Sequence, residues 1–559
     1  MLHCPRSSLI YFVLGVGLAF SCMVYFRATH TDLNPKTTTT IVTATATTAT
    51  STTATTGSIS IDTMSKPVIV VGSGLAGLSA AHEALKAGAR VHMLDRAAKP
   101  GGNSIKASSG ISGAGTRFQR DRGITEDSSS RFFEDSTRSA GARLRSPGPG
   151  PAMRESERRR ALIEILTSRS ADAVAWLADE IGVDMRVVAQ LGGHSVARTH
   201  RGASGPPPGA AIVGALVKKV SADPGFTLST EANVEALVVS DAGVVEGVRY
   251  AVAAAGGGET REVRGPVVFA TGGFAGDANG LLATHRPDLA GMPSTNDARP
   301  ASHGLLRAAG AAFVDMDSVQ IHPTGFVDPK DPGAAYKFLA AEALRGEGGI
   351  LLSAEGRRFV NEMERRDVAS AAVMALPRDQ ALAGGDRDGI RQWDVTLLLD
   401  PGACEAAASH LGFYVFKGLM RKTKVRDLPP AVIDAVDRYA AAVAAGRDDE
   451  FGREAFGAWR LAPGEANRDE EVAVGTVTPV THFTMGGVAF NEKAEVLAGE
   501  GRGEGEEGGE RKLGPVKGLW AAGEITGGLH GDNRLGGSSL LECAVFGRIA
   551  GREAAASLV

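Results

Sequence analysis

The most legible chemistry in this chain belongs to three glycines, Gly72, Gly74 and Gly77, in the run VIVVGSGLAGLSAAHEAL from Val68 to Leu85. An apolar strand leads into them and an alanine-rich helix follows. Glycines at this spacing let backbone approach a pyrophosphate, while the helix N-terminus supplies N–H groups and the positive end of its dipole. Asp95 ends the next apolar run, VHMLD, where an acidic residue would accept a ribose hydroxyl. A glycine turn alone is weak, but strand, helix and acid together point to a dinucleotide. NAD and FAD both satisfy that pattern, and the rest of the chain favours FAD. RAAKPGGNSIKASSGISGAG, from Arg96 to Gly115, is a loop of small residues suited to wrapping a long cofactor. PVVFATGGFAGD, from Pro266 to Asp277, is a second apolar strand ending in glycines. GLWAAGE, from Gly518 to Glu524, is a third strand, meeting an acid.

A second set of residues is rich in cationic and imidazole donors. It comprises His322 in IHPT, Glu342 and Arg345 in AAEALRGEG, Arg366 in ERRD, His482 in THFTMGG and Arg534 in GDNRLGG. Taken singly, such motifs carry a high false-positive risk: an HPT histidine is ordinarily structural and ERRD ordinarily a solvated helix face. Taken together with the glycine turn and GLWAAGE, they resemble the soluble fumarate reductase family. These are FAD flavoproteins related to the flavin part of flavocytochrome c and to succinate dehydrogenase. The resemblance covers essentially all of Lys66 to Val559.

That resemblance implies a site for a planar dianion, for which forked guanidinium and imidazole donors are suited. It implies that Arg534 and His482 hold one carboxylate of fumarate and His322 the other. Hydride then comes from reduced FAD, and the proton from Arg366, supplied through Arg345 and Glu342. It places FAD contacts at Gly72, Ser73, Gly74, Ala76 and Gly77, at Asp95 and Arg96, and at Gly102, Asn103, Ser104, Ser108, Ser109 and Gly110. Further FAD contacts are implied at Thr271, Gly272, Gly273, Glu524, Arg534, Ser539 and Leu540, and Asn533 and Gly536 are placed beside substrate or flavin. Two departures stand out. Ala341 occupies a position where some relatives carry a hydroxyl residue. Ser104 or Ile105 stands where succinate dehydrogenase attaches its flavin through histidine, so FAD is expected to be non-covalent. Competing readings are a relative acting on another enoate such as urocanate, on aspartate or on a ketosteroid, or a membrane-tethered flavin-binding module. Two arginines and two histidines favour a short dianion.

These residues must be positioned by a chain of 559 residues, long enough for two or three domains. Hydrophobic content of 43% and charged content of 22% are ordinary, while 72 glycines are nearly twice the usual share. A net charge of −4 gives no nucleic-acid footprint. None of the four cysteines has a haem, zinc or iron–sulfur spacing. No metal is therefore expected, and electrons must come from a diffusible donor, NADH or reduced flavin, or from a separate redox protein. The expected fold is α/β: a Rossmann-like FAD-binding domain with an inserted α+β capping domain. FAD-domain segments span 66–320 and 483–559, the cap 321–482, and a foreign N-terminal region 1–65. In that region LIYFVLGVGLAFSCMVYF, from Leu9 to Phe26, is an uncharged run of membrane-spanning length. It reads first as a signal anchor, placing the protein on a membrane or in the secretory pathway (endoplasmic reticulum), with a mitochondrial location as the alternative. A threonine-rich tether from Thr37 to Gly57 follows.

Local patterns add further expectations. Ala161 to Gly182 reads as one or two amphipathic helices, RESERRR from Arg154 as a solvated helix start, and the stretch after Phe226 as a β-meander. The turn at Ala354–Gly356 reads as a hairpin, with helices from about Asp427 and about Asp448. Leu497 to Pro515 reads as an exposed insertion.

The polypeptide from Lys66 onward should be soluble and yellow, and acid precipitation should leave its flavin in the supernatant. Flavin retained in the pellet would show a covalent link and contradict the reading of Ser104.

Overall fold

The computed structural model describes residues 66–144, 151–252, 259–378, 389–499 and 513–559. The signal anchor and threonine tether lie outside the described residues, as does most of the insertion between Leu497 and Pro515. Among the described residues no helix is long and apolar enough to cross a membrane.

Strand β1 (Val68–Val71), helix α1 (Leu75–Lys86) and β2 (Val91–Leu94) form the glycine-turn unit. Strands β3 (Phe226–Ser229) and β4 (Val267–Phe269) follow. The chain then builds the cap from β5 (Val319–Phe326), α2 (Glu342–Gly346), β6 (Ile350–Leu352), α3 (Arg366–Ala375), β7 (Val395–Leu399) and β8 (Glu471–Thr484). It returns through β9 (Glu495–Gly499), β10 (Leu513–Ala521) and α4 (Ser538–Ala556).

The central sheet has the order β9-β10-β4-β1-β2-β3, parallel except for β9. All four residues of β1 are buried, as the continuous apolar run VIVV requires of a strand covered on both faces. Val68 and Val70 enter one core with Met93 and Phe546, while Ile69 and Val71 enter the other with Leu94 and Leu519. Because β10 pairs with β4 directly beside β1, the two ends of the sequence signature meet in one sheet. Helices α1 and α4 cross there at close range. A Cβ on Gly547 would lie 2.5 Å from the Ala76 carbonyl oxygen, and one on Gly551 2.1 Å from that of Ala80.

The cap sheet is antiparallel, with order β5-β8-β7-β6 and a short strand, Phe338–Leu339, outside β5. Residues 320/321 and 482/483 fall inside β5 and β8, which pair Val319 with Thr484 and Ile321 with Thr481. The pairing shifts register between Gln320 and Ile321, so His482 falls between the paired residues Thr481 and Phe483.

The stretch from Ala161 forms two helices, Pro151–Ser168 and Ser170–Asp179. RESERRR is not simply solvated, since buried Arg159 donates to Asp315 Oδ2 at 2.7 Å. Of the meander, β3 joins the central sheet, while Ala232–Val239, Val245–Val252 and Glu259–Arg264 make a separate antiparallel sheet. Two expectations fail. The turn at Ala354–Gly356 forms, but β6 pairs with β7 and no returning strand follows the turn. Ion pairing takes over that segment: Arg358 bonds buried Glu362 at 2.8 Å and Asp448 at 2.9 Å, and Arg453 reaches Glu362 at 3.1 Å. No helix starts at Asp448 either. Its Oδ1 accepts the N–H groups of Glu450 and Phe451 in a turn closed by Gly452 at φ +70°. The helix expected near Asp427 is present as Pro430–Ala445.

Gly551→Val should lower stability by more than the roughly 1–3 kcal/mol of ordinary overpacking, because the new atoms meet backbone. Gly214→Ala, in the helix Pro208–Ser221 with nothing within 4 Å of its Cβ position, should be neutral or stabilising by about 0.5–1 kcal/mol. Thermal midpoints of the two variants check the contrast.

Candidate active site

A cleft of about 410 Å³ runs from the glycine turn to the N-terminus of α4. Every expected FAD position lines it except Gly77 and Gly273. Those two serve packing: a Cβ on Gly77 would lie 2.0 Å from the Gly72 carbonyl oxygen, and one on Gly273 2.3 Å from Glu524 Oε1. Asp95 also buckles the turn, its Oδ2 accepting the Ser73 N–H at 2.8 Å and its Oδ1 the Ala97 N–H at 2.8 Å. A carboxylate has about four lone-pair sites, so capacity for a ribose hydroxyl remains. Ser104 Oγ accepts the Leu75 N–H at 3.0 Å, tying the small-residue loop to the start of α1. Glu524 accepts the Thr484 N–H at 2.9 Å, and burial lifts its carboxyl to about 7. Two buried polar atoms on the cleft wall, Asn103 Oδ1 and Ser108 Oγ, have no hydrogen-bond partner among the described residues. An extended polar cofactor suits such a wall.

At the inner end, strand and helix termini converge on a buried cluster. Arg366, the first residue of α3, donates from Nε at 2.8 Å and Nη2 at 2.5 Å to Glu342 Oε2. Glu342 starts α2, and its Oε1 accepts the Gly192 N–H at 2.9 Å. Gly192 and Gly536 leave room for this carboxylate: a Cβ on Gly536 would lie 2.7 Å from Glu342 Oε2. Arg345, one turn along α2, holds Nη2 3.9 Å from Glu342 Oε1 and donates Nη1 to the Glu362 carbonyl at 2.6 Å. Burial pushes the Glu342 carboxyl up, but Arg366 and Arg345 outweigh it, so its pKa lies below the usual value.

Arg366 Nη1 also donates to Gln320 Oε1 at 2.8 Å, and Arg534 Nη2 donates to the same oxygen at 3.0 Å. Gln320 Nε2 donates to Asn533 Oδ1 at 3.0 Å and to the Arg534 carbonyl at 2.7 Å, which fixes its orientation. The Arg534 guanidinium lies 4.3 Å from the Phe483 ring centroid, its Nε is buried without a partner, and burial with the neighbouring Arg366 depresses its pKa to about 9. His322 and His482 stand with ring centroids 5.2 Å apart. His322 Nδ1 lies 3.2 Å from both the N and O of Thr324, while its Nε2 is unpartnered. His482 Nδ1 and Thr295 Oγ1 are hydrogen-bonded at 2.9 Å. Burial and nearby guanidiniums push both imidazoles well below their usual pKa, so both are neutral donors.

The family described as an FAD binding domain matches residues 67–540. A fumarate reductase of Schizosaccharomyces pombe is 38% identical over 508 residues, spanning 88% of this chain and 90% of the relative. Fumarate reductase 1 of Saccharomyces cerevisiae is 39% identical over 507 residues, spanning 87% and 97%. The chain belongs to the FAD-binding fumarate reductase family. The open conformation of a flavocytochrome c3 fumarate reductase superposes with a TM-score of 0.63 at 30% identity, over 88% of this chain and 78% of that one. The cofactor of this family member is FAD, and it is an oxidoreductase.

Arg366, His482 and Arg534 line the same cleft as the FAD positions; His322, edge-on to His482, and Glu342 and Arg345 are buried and are not among its lining residues. Sequence reasoning missed Gln320, Thr295 and Gly192. Gln320 had a signal: it precedes His322 by two residues on β5, and the two-residue period of a strand puts both on one face. Thr295 and Gly192 lie in irregular segments with no such period. Gln320→Glu should cancel one positive charge and weaken binding of malonate, a probe dicarboxylate, by at least about tenfold, or about 1.4 kcal/mol. Perturbation of the flavin absorbance on titration measures it.

Proposed function

We propose that the chain reduces fumarate to succinate, the activity named for its relatives. The observation that carries this reading is incompletely compensated positive charge, since Arg366 is paired with Glu342 but Arg534 makes no ion pair among the described residues. Two buried guanidiniums share one neutral oxygen, Gln320 Oε1, while Arg534 Nε and His322 Nε2 have no partner. Two carboxylates on a flat four-carbon acid supply the missing acceptors and the missing charge together.

In this reading Arg534 and His482 grip one carboxylate and His322 the other. Because both imidazoles are neutral, they polarise the substrate without adding like charge beside the arginines. FAD, when reduced, supplies the hydride. Negative charge developing at the neighbouring carbon is stabilised by Arg366 and Arg534 in a water-poor site. Arg366 then gives up a proton and regains one that comes from solvent through Arg345 and is relayed by the Glu342 carboxylate. Glu342 holds the Arg366 guanidinium at a fixed angle through Nε and Nη2.

Arg366→Ala should retain FAD but lose fumarate reduction by about 100- to 10,000-fold or more, the contribution of a positioned acid, and Arg366→Lys should retain more than Ala. A fully active Ala variant would remove Arg366 from the mechanism. Arg534→Ala should instead weaken succinate binding, since each hydrogen bond to a charged group is worth about 1.5–3 kcal/mol. In the unmodified protein, succinate affinity should weaken as pH rises through about 7, where Glu524 on the cleft wall ionises, and again through about 9, where Arg534 loses its proton. Binding titrations across pH check this, and a single fall near the ordinary histidine pKa of about 6.5 with none near 9 would mark a histidine cation as the clamp instead.

A further inference from the structure

The cleft opens to solvent through a rim of aromatic rings that the proposed chemistry leaves unused. Tyr336 and Phe413 line the same cleft as the FAD positions, yet are 38% and 41% exposed. Phe338 lies between them, edge-on to Tyr336 at 5.6 Å and to Phe413 at 6.3 Å between centroids. Phe416, a helical turn beyond Phe413 on the helix Ala408–Lys417, is 85% exposed. Two ammonium groups flank these rings, Lys106 at 5.2 Å from the Tyr336 centroid and Lys417 at 5.7 Å from that of Phe338. Lys106 pairs with Asp297 at 2.7 Å, whereas Lys417 makes no ion pair among the described residues. The rim adjoins the cofactor, because Lys106 follows Ser104, which is bonded to the glycine turn, by two residues.

Aromatic faces left in water attract other planar ring systems, and stacking on them is sequence-independent and strong for heteroaromatic bases. The flanking lysines select for negative charge. A few partly exposed rings at a cleft mouth fall well short of the roughly 800 Å² that each partner contributes to a stable protein interface. They match one small planar molecule.

We propose that this rim is the docking site of the diffusible reductant, a planar N-heteroaromatic ring bearing a phosphate. The ring stacks against Tyr336 and Phe413, and the phosphate meets Lys417 with Lys106 beside it. The inference rests on the reductase reading above and adds the place where its electrons enter. The exchange balances. A dihydroflavin releases two electrons and two protons, or a dihydronicotinamide two electrons and one proton with the second drawn from water. Fumarate takes up two electrons and two protons to become succinate.

The test uses the full-chain holoenzyme with oxidised flavin mononucleotide, riboflavin and NADH as probes, binding being read by quenching of probe fluorescence. Flavin mononucleotide should bind the wild type, and its dissociation constant should rise at least about tenfold in the double variant Tyr336→Ala/Phe413→Ala. Lys417→Glu should weaken flavin mononucleotide but leave riboflavin, which lacks the phosphate, unchanged. Binding of NADH through the same residues, without flavin mononucleotide, also supports the site and assigns its source as nicotinamide. All variants should keep their FAD spectrum and their fumarate reduction with reduced methyl viologen. Absence of binding by every probe, unchanged affinity in the double variant, or reduction supported only by a protein donor would overturn the proposal while viologen-driven activity persists. Loss of viologen-driven fumarate reduction in the wild type would instead overturn the reductase reading.

Discussion

Arg366 and Arg534, both buried, donate to one uncharged oxygen, and the rest of the site is arranged around that unfinished electrostatic balance. Burying a charge without full compensation costs several kcal/mol per ion. Glu342 answers only part of the charge, and its carboxylate is already shared between the Arg366 guanidinium, the Gly192 N–H and the approach of Arg345. The neutral histidines add donors and no charge.

The packing that holds the site comes from strand pairing and from close helix contact. Gln320 and His322 sit on β5, His482 on the paired β8, and Arg534 on the segment leading into α4. The β5–β8 pairing shifts register between Gln320 and Ile321, which leaves His482 outside the regular pairs, with its ring centroid 5.2 Å from that of His322. Helix α4 is in turn pressed on α1 through Gly547 and Gly551, so the glycine turn and the arginine share one rigid support. The candidate cofactor residues and Arg366, His482 and Arg534 therefore line one cleft. Glu524 adds a further tie, since its carboxyl joins the end of β10 to Thr484 at the end of β8.

Much of this was readable from residues alone, and the failures have physical causes. The run VIVV, the glycine turn and Asp95 are local signals, each needing only its own neighbours, and they placed β1, α1 and β2. The site residues were readable because their types are unusual together, but their roles came from resemblance, and geometry was needed to separate Gly77 and Gly273, which pack, from the glycines that face the cleft. The hairpin after Ala354 was misread because the ion network of Arg358, Glu362, Asp448 and Arg453 is assembled from positions nearly a hundred residues apart. The same network explains the missing helix at Asp448, whose side chain is spent on a turn. Gln320 was overlooked because a glutamine has no charge to draw notice, although its position two residues before His322 marked it.

The central claim is that the site is a positively charged set completed by two carboxylates, and the choice between a dianion and a monoanion of the same carbon skeleton tests it most directly. Photoreduced holoenzyme mixed anaerobically with fumarate or with crotonate, which replaces one carboxylate by a methyl group, reports on that choice through the return of the oxidised flavin absorbance. Losing two hydrogen bonds to charged groups, at about 1.5–3 kcal/mol each, predicts that crotonate reoxidises the flavin at least about 100-fold less efficiently than fumarate. Equal rates and equal concentration dependence for the two acids would contradict the account.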